Sequence, residues 1–227
     1  ILGSVIQAIR WKIILTNLSS FKFTQLFPSV LIGHMANHIL PAKAGEFIKC
    51  YYLGKKTGCS KIAIFSTIVI ERVFDGIMIL SFLIVFIFGI SKAQSELVWM
   101  GVLGAILYGV VFLFLLFIIF QVQQIDKLIK FLLPQKISQI AVKYLHTFSE
   151  GLQILKEVKQ LARIMILSII MWLVIAVALI SLIWMFNFEL PFYTSSALLA
   201  CIALGLSIPS APGGIGTIDT GSTGGGL

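Results

Sequence analysis

The sequence predicts an all-α fold, a polytopic helical membrane bundle with re-entrant or broken helices. Composition is the first reason. The 227 residues are 59% apolar and 11% charged, with mean hydropathy +1.04, whereas a soluble domain is about a quarter charged. A chain this apolar cannot cover itself with polar surface. The second reason is the length of the apolar runs, three of which reach 24 residues or more, enough for a span of about 20. The third is charge placement: cations gather between the runs, and three charges lie inside one of them.

The elements follow in order. Residues 1–9 read as the end of a membrane helix, and Arg10, Trp11 and Lys12 read as an interface mark of aromatic ring beside cations. Residues 23–40 are apolar but hold Pro28, His34, Asn37 and His38. Eighteen residues are marginal for a crossing, so a re-entrant or broken helix is as good a reading as a span. Pro41 disfavours helix at Leu40, and a new helix is expected near Ala44. Glu46 then falls in a first turn, where the helix dipole favours an acid, with Glu46 and Lys43 at the membrane face. His34 and His38 share a helical face, and the reading is a packed or hydrogen-bonded pair, not a zinc site. The three Cys show no repeated spacing that would signal disulfides or a metal.

Residues 62–90 are the first strong span. Nineteen of these 29 residues are Ile, Leu, Val or Phe, yet Glu71, Arg72 and Asp75 sit near the middle. Three charges cost about 7–10 kcal/mol on an insertion scale, against about 6–11 kcal/mol from the apolar side chains. Such a segment is retained only if its charges meet partners or water inside a bundle. Thr67, Glu71 and Asp75 form one i, i+4 stripe. Arg72 reaches Asp75 at i+3, which leaves Glu71 to find a cation elsewhere. Counted from Lys61, Glu71 lies about 15 Å along the helix, half of a core of about 30 Å.

Residues 97–120 carry no charge and are expected to face lipid over much of their surface. Residues 121–163 hold seven cations and three acids with apolar residues at helical intervals. They read as two amphipathic helices around Pro134, a cytoplasmic connector lying on the membrane or tucked under the bundle. Residues 164–188 form another span, and 192–208 a shorter one. Pro209, Pro212, Gly213, Gly214 and Gly216 then forbid continuous helix. Exposed amides of such a turn bind anions. Paired breaks, at 37–49 and 208–219, point to a site at a repeat interface.

The 41–61 and 121–163 segments hold five and seven cations, against one in 91–96 and none in 189–191. The positive-inside rule makes the first two cytoplasmic and the short links external. The formal charge of +8 is therefore a lipid-facing feature, and nucleic acid is not an expected partner.

The stretch NHILPAKAGEFIK, then IERVFD, then PSAPGGIGT, preceded by AIRWK, resembles the lysylphosphatidylglycerol synthase transmembrane region, also called the flippase-like membrane family. The order and spacing match over nearly the whole chain. The resemblance implies one flippase-like transmembrane domain over 1–227, incomplete at both ends, in the cell membrane. It implies translocation of a phospholipid between leaflets. The substrate-binding residues it implies are Asn37, Lys43, Gly45, Glu46, Glu71, Arg72, Asp75, Gly213, Gly214 and Gly216, with Pro41 and Pro212. No catalytic residue, metal or cofactor is expected. The soluble aminoacyl transferase part is not among these residues, so synthesis of aminoacyl-lipid is not expected of them. The expected partner is anionic phospholipid; a separate lipid-modifying enzyme and a second copy of the chain are further candidates. Two rival readings stay open. One is a membrane-embedded lipid-linked transferase using Glu46 or Glu71 as its acid. The other is a non-catalytic membrane subunit that docks an enzyme on 121–163.

Overall fold

A computed structural model describes residues 1–40, 44–89 and 95–185. Among them are seven α-helices and no strand: α1 Leu2–Ile14, α2 Phe23–Ile39, α3 Gly45–Thr57, α4 Lys61–Gly89, α5 Ser95–Leu132, α6 Gln135–Leu152 and α7 Val158–Met185. Short 3₁₀ turns follow α1 at Leu15–Asn17 and α6 at Gln153–Lys156. The all-α expectation holds. The Gly-rich break at 209–219, the 192–208 run and Lys43 lie outside the described residues.

Local chemistry sets the helix ends. At α2, the Gln25 side chain accepts a hydrogen bond from the Lys22 amide at 3.0 Å, satisfying a donor that helix geometry leaves open. α3 starts after Ala44 with Glu46 in its first turn and Lys55 and Lys56 in its last, the charge order that the helix dipole favours. It stops at Gly58, whose φ of 74° is the left-handed cap that glycine adopts without strain. Pro134 precedes the first turn of α6.

α4 is the central helix. It contacts α1, α3, α5, α6 and α7, and Ile64, Ile68 and Ile70 are fully buried with Trp11, Leu26 and Leu53 in one core. A second core joins Ile6, Met78, Ile79, Met171 and Trp172. Outside these cores the molecule is apolar as well. Two helical stretches, Gly109–Leu132 and Val158–Met185, are long and apolar enough to cross a membrane. Only 17% and 22% of their most apolar windows are buried, so they are not core helices of a soluble protein; their bare apolar faces need lipid or a partner. α4, with 29 residues, is about 43 Å long.

Cation–aromatic pairs mark one end of the bundle. Lys61 Nζ lies 4.1 Å from the Tyr51 ring centroid, Lys56 5.5 Å from Tyr52 and Lys156 5.6 Å from Phe120. This is the interface signature of rings beside cations. Arg10 and Trp11, read from sequence as such a mark, are instead fully buried; only Lys12 is exposed. The reason is the α1 helix itself, which turns Gln7, Arg10 and Trp11 onto the face that meets α4.

One further boundary differs from the sequence reading. α5 runs without a stop from the apolar span into the basic segment, broken only by non-helical backbone at Gln121 (φ −114°, ψ 18°). The first amphipathic helix is thus an extension of the span, because no Pro or Gly interrupts residues 110–132. α6 packs against α4. Its Gly151 approaches α4 so closely that a Cβ would meet Ala63 O and Ser66 Oγ.

Candidate functional site

Depth along α4 organises the site. α1 runs antiparallel to α4, since Gln7 meets Glu71 while Trp11 meets Thr67. α3 is also antiparallel: Gly54 lies by Lys61, Lys49 by Glu71 and Glu46 by Arg72. α2 approaches Gly45 with Gly33 and Asn37. So α2 and α3 lie antiparallel, with the start of α3 beside Arg72 and its other end at the basic end. Eleven residues separate Lys61 from Arg72 on α4, about 16 Å of helix. That is half of a core of about 30 Å. Of the two sequence readings of 23–40, the re-entrant one fits this geometry. Glu46, expected at the membrane face, pairs with Arg72 eleven residues along α4 from Lys61.

The hairpin turn is held by small residues. The Gly45 amide donates to Asn37 Oδ1 at 2.8 Å. A Cβ at Gly45 would overlap the Gly33 carbonyl oxygen and come within 2.5 Å of Asn37 Oδ1. Backbones this close need glycine. Asn37 and Gly45, expected to bind substrate, thus have a structural task at the turn.

Four of the expected residues, Glu46, Glu71, Arg72 and Asp75, come together in one ion network, and two unexpected cations complete it. Lys49 Nζ donates to Glu71 Oε2 at 2.6 Å. Arg10 donates from Nη1 to Asp75 Oδ1 at 2.7 Å and Ser168 Oγ at 2.9 Å, and from Nη2 to Glu71 Oε1 at 3.4 Å. Gln7 Nε2 donates to Glu71 Oε1 at 3.4 Å, and His34 Nε2 meets Gln7 Oε1 at 2.8 Å. His34 thus bonds Gln7 and extends the network to α2. Trp172 Nε1 donates to Asp75 Oδ1 at 3.4 Å. Trp11 Nε1 donates to Thr67 Oγ1 at 3.1 Å, and the Lys49 ammonium stands 3.9 Å from the Trp11 ring centroid. Arg72 pairs with Glu46 at 3.3 Å and Asp75 at 3.4 Å.

Among the described residues the network holds three cations (Arg10, Lys49, Arg72) and three carboxylates (Glu46, Glu71, Asp75). These six charges balance, which is how a low-dielectric interior tolerates so many of them. Its two ends differ. The Glu71 side chain is 0% exposed and Lys49 3%, whereas Arg72 is 43% exposed and Glu46 17%. One end is sealed and the other is open.

The sequence leaves the cation that meets Glu71 unnamed. Lys49 and Arg10 lie in the motifs FIK and AIRWK. The available signal was periodicity: Lys49 is three residues from Glu46 on one face of α3, and Arg10 is three from Gln7 on α1. Ser168 and Trp172, on α7, gave no local signal.

A helical integral membrane protein, with five helices tied by a balanced charge network and its hydrogen bonds, is the class these features define. The chain belongs to the lysylphosphatidylglycerol synthase transmembrane region family, whose match covers residues 1–226. It is similar to two proteins of Methanocaldococcus jannaschii. With the UPF0104 membrane protein MJ1595 it shares 42% identity over 85 residues, 36% of this chain and 25% of that protein. With the UPF0104 membrane protein MJ1078 it shares 31% identity over 186 residues, 81% of this chain and 75% of that protein. The matched region spans only a quarter of the first relative's length. No solved structure matches the chain.

Proposed function

We propose that this chain is a multi-pass protein of the cell membrane that moves a polar phospholipid between leaflets, with the headgroup engaged at the open end of the charge network. The observation that carries the reading is the half-exposed Arg72, paired with Glu46 and Asp75 at half depth beside a sealed neutral core. A phosphate can replace a carboxylate on the Arg72 guanidinium, which suits both groups through its fork of donors. An ammonium on the same headgroup can take the freed Glu46. Ion pairs are exchanged, and no charge is left alone in the interior. A headgroup with both charges fits this exchange better than a purely anionic one. The family resemblance adds Lys43, Gly213, Gly214 and Gly216 to the proposed headgroup contacts.

The transferase reading narrows under the same geometry. Its acid would have to be Glu46, because Glu71 has no exposed surface and is held by Lys49 and Arg10.

The experiment is a leaflet-resolved lipid assay in liposomes carrying the complete protein, run beside a test for lipid product. Translocation of a headgroup-labelled phospholipid, reduced at least tenfold by Arg72→Gln with reconstitution unchanged, supports the proposal. Equal rates for both proteins, or product formation without translocation, overturn it.

A further inference from the structure

The α5–α6 hairpin carries an apolar surface that neither the charge network nor the bundle core uses. α5 has 38 residues, about 57 Å of helix, nearly twice a hydrocarbon core of about 30 Å. Its lipid-facing residues Leu113, Phe117 and Phe120 are exposed. Phe120 stands at the basic end, against Lys156. The 3-and-4 spacing of this stripe then continues through Gln124 to Leu128 and Phe131, the last 86% exposed. α6 repeats the pattern, with Ile137, Ile140 and Tyr144 exposed on one side while Gly151 and Leu152 are buried.

Four lysines, Lys127, Lys130, Lys136 and Lys143, punctuate this surface, and all are exposed. Lys130 pairs with Asp126 at 2.8 Å. Lys127, Lys136 and Lys143 make no ion pair among the described residues. Alternating large apolar and cationic groups on a helix are what a bilayer surface with anionic headgroups binds.

A straight α5 would carry Phe131 about 16 Å past Phe120, clear of the headgroups. The non-helical backbone at Gln121 lies one residue after Phe120, the point at which the extension would have to leave the axis of the span to reach the surface. The continuity of the stripe with the span's lipid face favours lipid over a protein as the occupant.

We propose that the α5–α6 hairpin is an interfacial anchor, with Leu128, Phe131, Ile137 and Ile140 in the acyl boundary and Lys127, Lys136 and Lys143 on anionic phospholipid headgroups. This is independent of lipid translocation.

The test places an environment-sensitive fluorophore on Phe131→Cys, in the full chain with Cys50, Cys59 and Cys201 changed to Ser. A second protein carries it on Phe117→Cys, inside the span. Each is reconstituted in phosphatidylcholine vesicles and in mixed phosphatidylcholine–phosphatidylglycerol vesicles, with bromine on the acyl chains as quencher. The label at 117 should be quenched in both, which reports correct insertion. The label at 131 should be quenched, and more strongly with phosphatidylglycerol. Changing Lys127, Lys136 and Lys143 to Gln should lower the docked-to-free ratio about fivefold per lysine, while quenching at 117 persists. A label at 131 that stays unquenched while 117 is quenched overturns the anchor. So does quenching at 131 that ignores both phosphatidylglycerol and the lysines, or that needs an added protein.

Discussion

The two ends of the charge network contain the same chemistry and behave differently. At the Glu71 end, a carboxylate with no exposed surface is held by Lys49, Arg10 and Gln7, drawn from α3 and α1. At the Arg72 end, the guanidinium is 43% exposed and shares Glu46 with α3 and Asp75 with its own helix. Burial decides what each pair does. A sealed pair adds little net stability over an apolar core, yet removing one partner strands the other. A half-exposed pair can be exchanged for a ligand's charges at small cost. The sealed end therefore fastens helices, and the half-exposed end is where the proposed headgroup exchange would take place.

The comparison breaks most visibly at the sealed end. Lys49→Met or Arg10→Met leaves Glu71 short of a partner in the interior, at a cost of about 3–5 kcal/mol. Thermal melts and folded yield in detergent should fall steeply for each. Lys49→Met combined with Glu71→Gln should recover part of the loss; a double variant no better than the single would show that packing, not stranded charge, was lost.

The hairpin turn that brings Glu46 and Lys49 to α4 comes next. Gly45→Ala drives a methyl against the Gly33 carbonyl and Asn37, and overpacking of this kind costs about 1–3 kcal/mol. A melting temperature equal to the parent's would mean that α2 and α3 part easily. Gly151→Ala should cost a similar amount, because the Ala63 carbonyl in its way belongs to backbone and cannot turn aside.

A smaller stability effect is expected at the open end. Arg72→Gln should change stability by less than about 1 kcal/mol while lowering lipid movement strongly. A melting loss as large as that of Lys49→Met would erase the distinction between the ends. The gentlest probe leaves the network intact. In cells carrying otherwise Cys-free protein, single Cys at Lys56 and Lys143 should resist an impermeant thiol reagent added outside, and Cys at Gln94 should react. Labelling at Lys56 without lysis would invert the basic end.

The sequence by itself determined the all-α fold, the charged stripe Thr67–Glu71–Asp75, and the helix start near Ala44 with Glu46 in its first turn. Each of these is local. Apolar run length, helical periodicity and the backbone limits of Pro and Gly act over a few residues and can be read in one dimension. Tertiary structure alone decided which cation meets Glu71, that Arg10 and Trp11 turn inward, and that α2 and α3 lie antiparallel. Arg10 and Asp75 are 65 positions apart, and Trp172 and Asp75 are 97 apart. No local rule ranks one distant cation over another. The choice belongs to the helix faces that α4 brings together, where a buried carboxylate accepts whichever partners can neutralise it without leaving another charge alone.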